Sequence, residues 1–195
     1  MYFFLIVFLV AITNCYSQEE KDITDITKLT ILNPGISYEK SIGKLQSVKL
    51  AAIMLFSAYL GYSSTFGTSS GVDIDPALNI QYRYYYNAAR RAANGKRTEM
   101  NSLNYFAALH RTVFVKRTLS DTLYSKSNFR LLNTFGIVWG MQRNYPKRFS
   151  LDFNAGLGYF YANLASYYNG QRPGFIERFT VITGVEIGFW LNKKK

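Results

Sequence analysis

The chain has one cysteine, one histidine and four prolines in 195 residues, and 12 acidic side chains against 23 lysines and arginines. With Cys15 alone there is no internal disulfide and no cluster of thiolate ligands, and with His110 alone there is no imidazole pair to hold a metal. So few prolines, together with 17% aromatic residues, argue against long disordered stretches. Beyond residue 12 no apolar run approaches the ~20 residues that a membrane-spanning helix needs. Gly-rich phosphate loops, paired-cysteine spacings and helix-borne metal motifs are missing too, so no cofactor is implied.

What is present begins with an apolar opening. Residues 1–12 are almost wholly apolar, and Cys15 and Ser17 stand at positions −3 and −1 of a cleavage site before Gln18. This predicts a secretory signal peptide over residues 1–17 and one domain over 18–195, since no linker-like run divides the rest. A retained membrane anchor competes with that reading but is opposed by the shortness of the run. A lipidated Cys15 is opposed by the bulky Asn14 ahead of it. Cleavage before Gln18 also removes the only thiol and leaves a small exported domain without disulfides. Closing a sheet inside a bilayer stabilises such a domain, because no strand edge is left unpaired.

Several segments alternate between two faces with the period of a strand. In residues 46–62, Val48, Leu50, Met54, Phe56 and Leu60 share a face opposed by Ser47, Lys49 and Ser57. In 77–89, Leu78, Ile80, Tyr82 and Tyr84 oppose Asn79, Gln81 and Arg83, and in 149–163, Leu151, Phe153, Leu157 and Tyr159 oppose Asp152, Asn154, Gly156 and Gly158. The last strand sets Phe179, Val181, Val185 and Phe189 against Thr180, Gly184, Glu186 and Gly188. Two segments are less regular. In 102–116 the apolar face of Leu103, Tyr105, Ala107, Leu109 and Val113 is interrupted by Arg111; in 128–142 that of Leu131, Phe135, Ile137 and Trp139 is interrupted by Asn133. Gly136, Gly140, Gly156, Gly158, Gly184 and Gly188 all fall on the polar face. On a solvated surface they would weaken the strands, whereas in a narrow lumen they make room for side chains from opposite strands. Apolar residues outward, with polar residues and glycine inward, is the inside-out pattern of a transmembrane barrel.

Short connections are expected near residues 43–45, 92–97 and 144–147, and long ones over 63–75, 117–126 and 164–177, an alternation that outer-membrane barrels share. Pro34, Pro76, Pro146 and Pro173 are expected in turns or at strand edges. Asn33-Pro34-Gly35 reads as a tight turn between strands over 24–32 and 36–42, which makes the strand count even. The predicted fold is therefore all-β, an eight-stranded antiparallel up-and-down transmembrane β-barrel of a bacterial outer membrane, with both chain ends in the periplasm.

The formal net charge of +11 suggests nucleic acid as a partner. The positions oppose it. Lys40, Lys44, Arg90, Arg91, Lys96, Arg97, Arg143, Lys147, Arg148 and the three terminal lysines all map to the periplasmic rim, where they would face lipid phosphates. The expected partners are outer-membrane lipids and lipopolysaccharide, and the barrel-assembly machinery during biogenesis, for a monomer that binds no nucleic acid. Arg111, near the outer end of its strand, either snorkels to lipopolysaccharide phosphate or turns inward by a register slip.

Asn33-Pro34-Gly35-Ile36-Ser37-Tyr38-Glu39-Lys40, Gln81-Tyr82-Arg83-Tyr84-Tyr85-Tyr86-Asn87, Trp139-Gly140-Met141-Gln142-Arg143-Asn144-Tyr145 and Gly188-Phe189-Trp190-Leu191 resemble stretches of a family of small outer-membrane β-barrel proteins of Bacteroidetes-type bacteria. The resemblance covers nearly all of the mature chain and implies its fold and address, with no catalytic or binding residues attached. The terminal Gly188-Phe189-Trp190-Leu191 also looks like a barrel-assembly signal, here followed by Asn192 and three lysines.

For chemistry, His110 with Asp121 and Ser120 or Ser125 would compose a lipid hydrolase or acyltransferase site, and its simpler reading is a lumen-facing residue bonded to its neighbours. The leading expectation is not an enzyme but a structural or surface-interaction barrel acting through its external loops. Glu39, Lys49, Arg83, Asp152 and Glu186 share the inward parity. A three-residue turn, Gly43-Lys44-Leu45, sets Glu39 opposite Lys49, and Arg83 is free to serve Glu39, Asp152 or Glu186, so that a charged network plugs the lumen.

Overall fold

The computed structural model describes residues 23–63, 67–117, 128–164 and 174–192. The expected signal peptide, the terminal lysines, Ser120, Asp121 and Ser125 lie outside them. Eight strands follow in chain order: β1 (Ile26–Leu32), β2 (Gly35–Gly43), β3 (Gln46–Ser63), β4 (Gly67–Tyr84), β5 (Asn104–Arg117), β6 (Asn128–Asn144), β7 (Phe149–Leu164) and β8 (Gly174–Trp190). Each pairs antiparallel with the next, and β8 returns to β1, closing the sheet. Both described chain ends and the β2–β3, β4–β5 and β6–β7 connections lie at one end, the base; the β1–β2 connection lies at the other end, the top.

Closure rests on the shortest ladder. Four pairs join β1 to β8, from Lys28 opposite Trp190 to Leu32 opposite Ile187, with a register shift between Thr30 and Leu32. Asn192 extends it at the base, accepting from the Thr27 amide at 3.0 Å and donating to the Asp25 carbonyl at 2.6 Å. The polar residue after the terminal aromatic motif thus helps to shut the seam.

The faces follow the alternation, with large apolar side chains outward: Ile137, Leu157 and Val181, on three consecutive strands, are 62%, 70% and 69% exposed. Inward stand Ser47, Lys49, Asn79, Gln81, Arg83, Asp152 and Asn154, all buried. The six inward glycines face close neighbours. A Cβ on Gly140 would run into the Tyr105 ring, and one on Gly136 or Gly158 would meet Ile182.

One strand reverses its expected faces. In β5 it is the apolar set that turns inward: Leu103, just before the strand, and Tyr105, Ala107 and Leu109 are buried with Tyr85, Val138 and Ile182 as a small hydrophobic core. Phe106 faces out at 49% exposure. Both faces of this segment carry apolar residues, so period alone leaves the choice open, and packing across the lumen decides it. Arg111 shares the inward phase, and its Nε has no protein partner among the described residues.

The connections also differ. The strand expected to reach residue 89 stops at Tyr84, and helix α1 (Ala88–Ala93) and a 3-10 turn (Glu99–Asn101) fill the path to β5. Ala-Ala-Arg-Arg-Ala-Ala is a run of strong helix formers, and Gly95, at φ +63°, ends it in a left-handed cap, its amide bonded to the Ala92 carbonyl at 2.9 Å. Asn94-Gly95 therefore stops a helix rather than turning a hairpin. At the top, the expected long connection over 63–75 is largely strand, since Ser63 pairs with Gly67; of the one over 164–177, Leu164 and residues 174–177 are strand, with Leu164 paired to Gly174, and residues 165–173 lie outside the described residues. β3 outruns its β2 partner beyond Ile53, and the β4–β5 ladder ends at Ala77 opposite Val113, although β5 runs on to Arg117 beside β6. Pro76 lies inside β4, opposite Met54. Met54 donates its amide to the Pro34 carbonyl on the β2 side, which turns the ring nitrogen of Pro76 away from β3 toward the flank where the β5 ladder has ended.

Candidate functional site

The densest group of ionisable side chains fills the base half of the lumen. Glu39, Lys49, Arg83 and Asp152 are at most 1% exposed and Glu186 is 7% exposed. The structure brings all five together, with partners that cross the barrel. Glu39 does lie opposite Lys49, yet the lysine reaches over the lumen to Glu186 at 2.5 Å and Asp152 at 3.3 Å. Arg83 binds Asp152 at 2.8 Å and stands 3.7 Å from Glu39. The β2–β3 turn takes two residues, Lys44 and Leu45, rather than three, and a shift between Ser41 and Gly43 restores the expected register.

The expected Glu39–Lys49 contact gives way because Glu39 is already enclosed. Its Oε1 accepts from Ser47 at 2.8 Å, Tyr85 at 2.5 Å and Asn101 at 3.1 Å, and its Oε2 from Gln142 at 3.3 Å. Gln142 in turn accepts from Arg83 and from Lys28, a sixth buried ion. Tyr105 donates to Asp152 at 2.6 Å and lays its ring beneath the guanidinium of Arg83, 4.1 Å from Cζ. Three cations, Lys28, Lys49 and Arg83, thus balance three carboxylates, and every carboxylate has a charge-assisted bond or ion pair. That balance is what a buried ionic cluster requires.

Lys28 and Gln142 were legible by parity, since Lys28 is in phase with Ile26 and Thr30, and Gln142 with Gly140. Asn101 gave no such signal, because it reaches Glu39 from the 3-10 turn.

His110 is not in the lumen. With the faces of β5 reversed it points outward and stacks flat on Phe135 at 4.2 Å, 3° from parallel. Its Nε2 lies 3.3 Å from both Asn133 Oδ1 and the Thr112 hydroxyl, and the hydroxyl donates to Asn133 at 2.9 Å. The trio makes a small polar island on the apolar belt and contains no carboxylate. Among the described residues no group of His, Cys, Asp or Glu is placed to hold a metal ion.

The chain matches no family model, no curated protein and no solved structure.

The ionic cluster is built for rigidity. Ser47 is a hydroxyl beside a carboxylate, Glu39, but that carboxylate is also held by Tyr85, Asn101 and Gln142. Asn79 Oδ1, Gln81 Nε2, Arg111 Nε, Asn144 Oδ1 and Asn154 Oδ1 are buried without a protein partner among the described residues.

Proposed function

We propose that this chain is a non-enzymatic β-barrel of a bacterial outer membrane, with a lumen plugged by its own side chains and a structural or surface-interaction role exercised through the top of the barrel. The observation that carries the reading is the inversion of polarity. Lysine, arginine and carboxylates are sealed inside, while Phe179 (88% exposed), Leu157, Ile137 and Val181 stand outside on adjoining strands. In water such a belt is a large apolar patch of the kind soluble monomers avoid, and in hydrocarbon it is the surface that lipid requires.

Aromatic residues support the same reading. Tyr82, Tyr84, Tyr86 and Phe106 are exposed near the base end of the belt, where interfacial rings gather in membrane barrels. The resemblance to small Bacteroidetes-type barrels is part of this proposal, and outer-membrane lipids, lipopolysaccharide and the assembly machinery are its partners. Cell fractionation with separation of the two membranes, followed by flotation of the refolded protein with lipid vesicles, is the test. The protein should band with outer membranes and float. Recovery in the soluble fraction, or failure to float, would reject the reading.

A further inference from the structure

The helix that replaced the expected β4–β5 turn creates a cavity of about 420 Å³ at the base, lined by Arg90, Arg91, Lys96 and Arg143 with Tyr86 and three asparagines. The lining holds four cations and no carboxylate. None of the ion pairs among the described residues involves any of the four, although Arg97 next door pairs with Glu99. Two of the guanidiniums are anchored by neutral oxygens. Arg143 donates to the Leu103 and Gln142 carbonyls and to Asn104 Oδ1, at 3.0, 2.6 and 2.7 Å; Arg91 donates to the Arg97 carbonyl at 3.0 Å. Asn87 Oδ1 accepts from the Asn104 amide at 2.8 Å and ties the start of the helix segment to β5. Neutral acceptors fix positions and leave charge uncompensated, which is the electrostatic condition of an anion site.

The cavity wall continues into the apolar belt. Tyr86 accepts from Trp139 Nε1 at 2.8 Å and packs on Phe106 at 5.2 Å between ring centres, and both Tyr86 and Phe106 are exposed on the outer face. An occupant of this site therefore meets cations at one end and an aromatic slope toward Ile137 at the other. We propose that the cavity binds one anionic phospholipid, its headgroup phosphate between Arg90, Arg91, Lys96 and Arg143 and its acyl chains over Tyr86, Phe106 and Trp139. The site rests on the membrane reading above and adds to it a single saturable headgroup site at the base rim. A free phosphate would satisfy the cations but leave the aromatic slope unused.

The experiment uses the full-length protein in neutral micelles, with dibrominated phosphatidylglycerol and dibrominated phosphatidylcholine as quenchers of tryptophan fluorescence. Trp139 borders the site, whereas Trp190 is 3% exposed and contributes little. Phosphatidylglycerol should quench the wild type at concentrations about tenfold or more below those of phosphatidylcholine, the scale expected of two or more cations at one phosphate. The variant R90Q/K96Q, which removes exposed charges that hold no structural bond, should lose that preference, and K44Q/K147Q, with two charges removed elsewhere on the rim, should keep it. Equal quenching by both lipids in the wild type, or a preference that survives R90Q/K96Q, would overturn the site. Competition by inorganic phosphate at millimolar levels would overturn the lipid in favour of a free anion. If flotation succeeds while lipid preference is absent, only this inference fails; if flotation itself fails, the membrane reading fails with it.

Discussion

At the scale of single residues, Arg83 is the cation that ties the lumen cluster together, bonded to Gln81, Gln142 and Asp152 and set against Glu39 and the Tyr105 ring. Removing one member of a buried pair costs roughly 3–5 kcal/mol because the abandoned charge stays buried, whereas exposed pairs are worth ~1 kcal/mol or less. Arg83→Ala should therefore lower the urea midpoint in lipid clearly, while the exposed Lys147→Ala should leave it in place. Outside the barrel wall the logic is that of position. Leu157→Arg places a charge in the middle of the apolar belt and should destabilise by roughly 2–4 kcal/mol, against little for Ala93→Arg in the exposed base connection. Equal midpoints for these two variants would show that the belt does not face lipid. At the base, Asp25 accepts from Lys40 at 2.7 Å and the Ser41 amide at 2.8 Å. Burial works against its charge, but these partners outweigh burial and hold the carboxyl below its ordinary range. The stabilisation is therefore complete above the unfolded value of about 3.9 and is lost as pH falls below it through the folded one. As pH falls below about 4, Asp25→Asn should narrow the loss of stability slightly, since the pair is exposed; a titration unchanged by the substitution would remove Asp25 from the acid response.

At the scale of elements, β5 shows where periodicity stops being informative. Alternation predicted a strand and placed it almost to the residue, but Leu103, Tyr105, Ala107 and Leu109 compete with Phe106, Ala108 and Phe114 for the name of apolar face. The inward set wins because Gly140 leaves a slot for the Tyr105 ring and Val138 and Ile182 offer apolar surface opposite. A cysteine at Ala108 carrying a fluorophore should accordingly be quenched by bilayer-soluble nitroxides, and one at Ala107 should not; the reverse order would restore the expected faces and return His110 to the lumen. Helix α1 has the opposite history. Its Ala and Arg run and Gly95 are a local helix signal, obscured because the preceding Tyr82 to Tyr86 alternation reads smoothly onward as strand. The cavity beneath it is invisible in the sequence for that reason, although its four cations lie together at one end of the barrel.

At the scale of the whole molecule, the lumen is narrow enough for side chains from opposite walls to bond directly, as Lys49 of β3 does with Asp152 of β7 and Glu186 of β8. The plugged lumen proposed above follows from such filling, since eight strands enclose a space that side chains can fill. Planar-bilayer recordings should show no steady conductance, and reproducible channels in the wild type would dispose of the plug. The sequence by itself determined the strand number, the antiparallel order, the phase of most strands and the Glu39–Lys49 register, because period two, turn residues and glycine placement are local properties that survive in one dimension. Only the tertiary structure decided which partners the lumen ions take, which way β5 faces and that the β4–β5 connection folds into a helix over a basic cavity. Those outcomes depend on distances across a closed sheet, and closure brings into contact residues that pattern along the chain leaves a hundred positions apart, as Lys49 and Asp152 are by 103.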